Sequence, residues 1–298
     1  MKISIALFLC TLLSSVCSYS QDYKETLYND WGQSFTIDEV LYEEKTELQD
    51  MFLFKNKSFG TVLALDGCIQ LCEKDEFIYH EALVHLPMFS HDNPEHVLVI
   101  GGGDGGIIRE VLKHKQVKSV TLVEIDGSVV EFSKKHLPFV SNGAFADARL
   151  KVVIEDGSKY VKETKQLFDL IICDSTDPFG PAACLFTEEF YRDCKNILNE
   201  KGIFVNQSGV PFMQADELKL IHTNLSMVFN SVDFYLAAVP TYVGGQMALG
   251  FSSNYNYSPN ASALKQKISS SGISLRFYNE EYHLGAFNKP TFIKEVLK

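Results

Sequence analysis

The sequence predicts an α/β fold: a Rossmann-like, methyltransferase-type parallel sheet with a small N-terminal antiparallel β domain. Three observations predict it. From about residue 96 onward, apolar runs of strand length alternate with helical stretches, the pattern of a parallel sheet covered on both faces. The first of these strands ends in a glycine loop, Gly101-Gly102-Gly103-Asp104-Gly105-Gly106, that leads into a helix. Between residues 33 and 73, by contrast, the pattern alternates in twos and is rich in β-branched and aromatic residues.

In chain order, Phe35-Thr36-Ile37, Met51-Phe52-Leu53-Phe54 and Thr61-Val62-Leu63-Ala64-Leu65 are predicted strands, with turns at Asn56-Lys57-Ser58 and Asp66-Gly67. The periodicity then changes, and residues 76–88 read as a helix that closes near Pro87. Strands follow at 96–100, 120–124, 150–154, 168–173 and 203–206, with helices at 107–115, 128–136, 158–165 and 187–199 between them. Two later runs, 232–238 and 246–251, are expected to close the sheet with an antiparallel edge. The division is therefore residues 1–20 as a leader, 21–75 as the β domain and 76–298 as the Rossmann-like catalytic domain. The chain of 298 residues is long enough for a large and a small domain.

The leader has the layout of a signal peptide. Lys2 precedes an apolar run over residues 3–16, with small and polar residues around Ser18 and Ser20. The run is too short to span a membrane, and no span is expected in the mature body. The cysteines argue the other way. Their number is seven, no paired C-x-x-C set suggests zinc, and most of those beyond the leader sit in apolar or helical surroundings, as reduced thiols do. The cytoplasm is the expected compartment, with export as the alternative that residues 1–20 keep open.

A formal net charge of -11 argues against a nucleic-acid backbone as partner and would attract a cationic small molecule, although an acid excess that only keeps the protein soluble explains the total equally well. The placement of acids says more. Ligands of an open α/β sheet bind beyond the carboxyl ends of its strands. Asp104, Glu124, Asp156 and the pair Asp174 and Asp177 follow the first four predicted parallel strands in turn. A glycine loop lets a ligand approach the backbone, but Asp104 would repel a pyrophosphate, which disfavours a dinucleotide cofactor. Glu124 stands about 20 residues further on, where an acid accepts the ribose hydroxyls of an adenosine. Asp104 alone is equally a helix cap, and Asp156-Gly157 alone is equally a turn or an adenine-edge contact. As a set, they point to an adenosine without phosphates. Asp174-Ser175-Thr176-Asp177-Pro178 forms a stiff acidic rim suited to an ammonium group or to a base that takes a proton from one.

These stretches resemble the spermidine synthases. The resemblance is carried by Gln49-Asp50, Leu65-Asp66-Gly67-Cys68-Ile69-Gln70, Asp75-Glu76-Phe77-Ile78-Tyr79-His80-Glu81 and the glycine loop. It continues through Val123-Glu124-Ile125-Asp126, residues 174–181 and Pro240-Thr241-Tyr242, and it runs in order from about Tyr23 to the C-terminus. It implies transfer of the aminopropyl group of decarboxylated S-adenosylmethionine, a co-substrate, to putrescine, with no metal or other cofactor, and a homodimer. Gln49 and Glu124 would hold the nucleoside, Asp156 and Gly157 its adenine, and Pro181 would line that pocket. Asp104 would bind the amine of the aminopropyl arm. Tyr79, His80 and Asp177 would position the diamine, Gln70 and Tyr242 would complete a polyamine tunnel, and Asp174 would accept the proton. Some family members carry glutamine where this chain has His80. An S-adenosylmethionine-dependent methyltransferase or a non-catalytic polyamine-binding protein are the alternatives. The methyltransferase does not require both an acid in the glycine loop and a second acidic rim beside a tyrosine, and the binding protein would hold spermidine without consuming any donor.

Overall fold

The computed structural model describes residues 21–46, 49–178, 180–258 and 260–298. The leader, residues 1–20, lies outside the described residues, as does the side chain of Pro181.

The chain begins with a two-stranded antiparallel ribbon, β1 (Gln21–Lys24) and β2 (Ser34–Ile37). A four-stranded antiparallel meander follows: β3 (Glu39–Lys45), β4 (Asp50–Asn56), β5 (Gly60–Leu65) and β6 (Cys68–Cys72), in spatial order β3-β4-β5-β6. Sequence patterning anticipated β2, β4 and β5. It missed β1, β3 and β6, because the outer strands are short or carry exposed charges such as Glu43, Glu44 and Lys45. The turn between β5 and β6 is Asp66-Gly67, with φ of 49° and 82°. Positive φ at both central residues is what a two-residue hairpin of this twist requires.

The helix α1 (Glu76–Ser90) passes through Pro87 and does not close there. This corrects the sequence expectation. Proline forfeits one hydrogen bond, but α1 is buried on almost every side, and the packing around Leu83, Leu86, Met88 and Phe89 outweighs the lost bond. The alternating part then runs β7 (His96–Gly101), α2 (Gly106–Leu112), β8 (Ser119–Glu124), α3 (Gly127–His136), α4 (Pro138–Ser141) and β9 (Leu150–Ile154). It continues with α5 (Gly157–Glu163), β10 (Phe168–Asp174), a 3-10 segment (Gly180–Phe186), α6 (Glu188–Asn196), β11 (Leu198–Gln207) and α7 (Ala215–Ser226). The strands β12 (Ser231–Ala238) and β13 (Gln246–Ser253) precede α8 (Ala261–Ser271), α9 (Glu280–Gly285) and α10 (Thr291–Val296). Helices α7 to α10 had not been anticipated. The strand β11 begins five residues before its apolar core, so the preceding helix is shorter than predicted.

These strands form one sheet in the order β12-β13-β11-β10-β7-β8-β9. The five from β11 to β9 are parallel, while β13 pairs antiparallel with β11 and β12 antiparallel with β13. The expected antiparallel edge is present. Alternate residues of β7 face opposite layers: Val97 and Val99 pack under α1 and α2, and Leu98 and Ile100 pack with residues of α5 and α6. The chain winds outward from β7 through β8 to β9, then returns to place β10 on the other side of β7. The strand order therefore reverses between β7 and β10, where such folds open a crevice.

The β meander docks on this sheet through Met51, Leu53, Leu63 and Leu71, which pack against Val129 and Phe132 of α3, Val140 of α4 and Leu137 between the two helices. That apolar contact carries β4 and β6 to the mouth of the crevice. Of the cysteines, Cys72, Cys173 and Cys194 are buried thiols, Cys68 is half-buried and Cys184 is exposed.

Candidate active site

At the end of β7 and β10, Asp174 pairs in register with Gly101. Gly101 has φ of 77°, and a Cβ there would fall against the Asp174 carbonyl oxygen well inside contact distance. Glycine is needed for both reasons. The close approach sets the two strand ends side by side, so the glycine loop that carries Asp104 and the strand end that carries Asp174 open into one cavity.

That cavity has a volume of about 570 Å³. Gln49, Gln70, Tyr79, His80, Asp104 and Glu124 line it, together with Asp156, Gly157, Asp174, Asp177 and Tyr242. Every predicted site residue is thus at one cleft except Pro181, whose side chain lies outside the described residues. Eight carboxylates line the cavity, and among the described residues no lysine or arginine does.

At the centre, Tyr79 Oη donates a hydrogen bond of 2.5 Å to Asp174 Oδ1. Burial and the neighbouring Asp104 charge push the Asp174 carboxyl up to about 6, although the Tyr79 bond and His80 pull the other way. The Tyr79 ring meets that of Tyr242 edge-on at 5.6 Å between centroids, and Tyr242 Oη donates to the Gln70 carbonyl at 2.9 Å. Two phenols thus wall the cavity beside the carboxylates. Asp104 Oδ1 accepts from the Gly106 amide at 2.6 Å and lies 3.5 Å from His80 Nε2. His80 itself is buried beneath the loop, its Nδ1 2.5 Å from Glu76 Oε2. Burial depresses the ring's pKa, but Asp104 and Glu76 outweigh it and the net shift is upward.

On the other side, Glu124 ends β8 and accepts from the Asp126 amide at 3.0 Å. Burial raises its carboxyl to about 7. Gln49 Nε2 donates to Asp126 Oδ2 at 3.0 Å, which ties the β meander to the sheet. Asp156 caps α5, accepting from the Ser158 amide at 2.7 Å, so one of its oxygens is already committed. A Cβ on Gly157 would stand 2.5 Å from Ile100 Cγ2, so a side chain there would collide with the end of β7.

Three residues of the cleft were missed in the sequence. Gln207 Nε2 and Gln214 Nε2 donate to the two oxygens of Asp177, at 3.3 and 2.8 Å. Their own oxygens accept the Gly209 and Val210 amides at 2.8 and 2.7 Å, so both amides are fixed in orientation. Gln207 ends β11, a parallel strand, and the rule that found the acids would have found it had glutamine been considered. The third is Glu25, which is 4% exposed and lines the cavity. Its Oε1 accepts from the Ile69 amide at 3.0 Å, while Oε2 is buried without a partner. Burial raises its pKa. A lone acid between β1 and β2 carries no signal in sequence.

Among the described residues, no group of three or more histidine, cysteine or acidic side chains is placed to hold a metal ion, and no helix is long and apolar enough to cross a membrane.

Residues 76–262 match the family model described as "Spermine/spermidine synthase domain", and residues 22–73 match "Spermidine synthase tetramerisation domain". The chain is 49% identical over 278 residues to polyamine aminopropyltransferase 1 of Pseudomonas aeruginosa, which covers 93% of this chain and 97% of that protein. It is 47% identical over 283 residues to the polyamine aminopropyltransferase of Pectobacterium atrosepticum, covering 94% and 99%. Among solved structures, a spermidine synthase in complex with the transition-state analogue AdoDATO superimposes with a TM-score of 0.89 at 41% identity, over 93% of this chain and 94% of the other. Spermidine synthase from Thermotoga maritima superimposes with a TM-score of 0.88 at 41% identity, over 94% of each. With identity of this order along nearly the whole chain, and the same architecture, the chain belongs to the spermine/spermidine synthase family.

Proposed function

We propose that this protein is a polyamine aminopropyltransferase that moves the aminopropyl group of decarboxylated S-adenosylmethionine to putrescine, giving spermidine and methylthioadenosine. One observation supports it above the rest: eight carboxylates and no lysine or arginine line a single cavity among the described residues, a field suited to a sulfonium donor with a bare ammonium tail and to a diammonium acceptor.

We assign the roles from the family resemblance, which the cavity-lining side chains support. Glu124 and Gln49 hold the ribose, whose two hydroxyls add donors to the Asp126 amide that Glu124 already accepts. Asp156, Gly157 and Pro181 take the adenine. Asp104 grips the ammonium of the aminopropyl arm. Tyr79, His80 and Asp177 position the near end of the diamine, and Gln70 and Tyr242 line its path. The unpartnered Oε2 of Glu25 receives the far ammonium.

An alkyl amine has a pKa near ~10 and is protonated at neutral pH. Asp174 removes that proton, and its carboxyl, raised to about 6, remains ionised at pH 7 while being a better base than an ordinary aspartate. The amine nitrogen then attacks the methylene carbon bonded to sulfur. The C–N bond forms as the C–S bond breaks, and sulfur keeps the electron pair as a neutral thioether. Alignment of nitrogen, carbon and sulfur in a closed cavity supplies much of the remaining acceleration.

The reaction is placed in the cytoplasm, where its donor is made, and the enzyme is read as a homodimer. Mass spectrometry of the native N-terminus and light scattering test these two points. Incubation with putrescine and either donor tests the activity. Methylthioadenosine and spermidine are expected from the decarboxylated donor. Adenosylhomocysteine from ordinary S-adenosylmethionine would mark a methyltransferase, and binding of spermidine without any nucleoside product would mark a carrier.

A further inference from the structure

Behind Asp104 a row of buried charged groups leads away from the cavity. His80 is 3% exposed and has a carboxylate at each ring nitrogen: Glu76 Oε2 at 2.5 Å from Nδ1 and Asp104 Oδ1 at 3.5 Å from Nε2. Glu76 in turn binds Arg109 through both oxygens, at 3.1 Å to Nη1 and 2.8 Å to Nη2. Arg109 is fixed from behind by the Val140 carbonyl at 2.5 Å and Glu110 Oε1 at 2.7 Å.

A neutral imidazole has one N–H and one lone pair. In either tautomer, the lone pair would point at a carboxylate. Only the doubly protonated ring presents a proton to both sides. Nor is the ring able to swing away, because it is pressed on the first turn of α2. A Cβ on Gly106 would collide with three of its atoms. Glu76 is able to act as the counter-ion because of Arg109. Burial would raise the Glu76 carboxyl, but His80 and Arg109 outweigh it and the net shift is downward, to about 2; the guanidinium, bound to both Glu76 oxygens, holds that charge in place.

We propose that Glu76 and Arg109, which line no part of the cavity, are positioning residues that hold His80 as an imidazolium between Glu76 and Asp104, so that its charge keeps the Asp174 base ionised. The inference rests on the aminopropyl-transfer reading above. The groups that face His80 are Glu76 and Tyr79 from α1, Asp104 from the glycine loop, Arg109 from α2 and Asp174 from the end of β10. Without the charge of His80, Asp104 and Asp174 would oppose each other as like charges, and one would take up a proton. An Asp174 protonated in that way has no room for the proton of the acceptor.

Two measurements test the proposal. In the unmutated enzyme, imidazole nitrogen-15 spectra, with the His80 signals assigned by their loss in His80→Gln, are expected to show a doubly protonated ring at pH 8, far above the ~6.5 at which a free histidine titrates. A neutral ring at pH 7 would overturn the proposal. In Glu76→Gln the acid limb of kcat/KM is expected to move up by about 1 pH unit, with methylthioadenosine affinity retained within about twofold, since that nucleoside lacks the aminopropyl amine. In the His80→Gln background the same substitution is expected to add no further shift. An acid limb that does not move, or methylthioadenosine affinity lost in parallel with activity, would leave Glu76 a purely structural role. If Glu76→Gln does not fold, the spectrum of the unmutated enzyme decides. Absence of methylthioadenosine formation by the unmutated enzyme would sink the functional reading by itself, while the charge on His80 is read independently of turnover.

Discussion

Asp174→Asn is expected to stabilise the ligand-free protein while abolishing most of its activity. The Asp174 carboxyl is raised from an ordinary 3.8 to about 6 by burial and by Asp104. The folded chain therefore holds that proton more tightly than the unfolded chain, and stability is lost as pH rises from about 4 through 6. A shift of roughly 2 units corresponds to about 3 kcal/mol at pH 7.5. Because the carboxylate faces the water of the cavity, about 2 kcal/mol is the better expectation. For a chain of this length that is a rise in Tm of roughly 4 °C. Thermal unfolding of wild type and variant, without ligand, at pH 7.5 and pH 5 measures it. The gap should shrink at pH 5, where the folded wild type is already mostly protonated. Loss of the proton acceptor should lower kcat/KM by about 10²–10⁴-fold. A variant with unchanged or lower Tm at pH 7.5, or one that keeps its turnover, would refute the assignment of Asp174 as a base whose proton affinity is raised by burial and by Asp104.

Asp104→Asn should relax donor choice. Ordinary S-adenosylmethionine would bring a carboxylate to within about 4 Å of Asp104, a repulsion of roughly 4 kcal/mol at an effective dielectric near 20, or about a thousandfold. Competition binding of the two donors reads it, and retention of full selectivity would show that Asp104 does not set it. Glu25→Gln should raise the KM for putrescine by about tenfold, as expected for one charge-assisted bond, and leave methylthioadenosine affinity unchanged; an unaltered KM would remove Glu25 from the acceptor site. Gly101→Ala combines a left-handed φ with a collision against the Asp174 carbonyl, so it should destabilise the protein by more than about 2 kcal/mol. Denaturant titration with a wild-type midpoint would contradict that account of the crevice.

The alternation of strands and helices was legible because side-chain period is a local property. Val97 to Ile100 are all buried on a strand between two layers, and such a run has few other uses. Pro87 misled because the cost of a proline is local while its compensation, the packing around α1, is not. The acids at the strand ends were legible for a topological reason, since parallel strands deliver their carboxyl ends to one edge of the sheet. Glu25 and Gln214 were not legible, because nothing in their neighbours in sequence marks them.

Sequence alone determined the parallel sheet, the glycine loop and the row of acids at the strand ends, because each depends on periodicity or on residues adjacent in the chain. Only the tertiary structure decided which charges meet. Tyr79 reaches Asp174 across 95 residues, Gln49 reaches Asp126 across 77, and Arg109 reaches Glu76 across 33. Those pairings set how far each carboxylate is removed from water and what stands beside it, and a carboxylate's proton affinity depends on these two quantities.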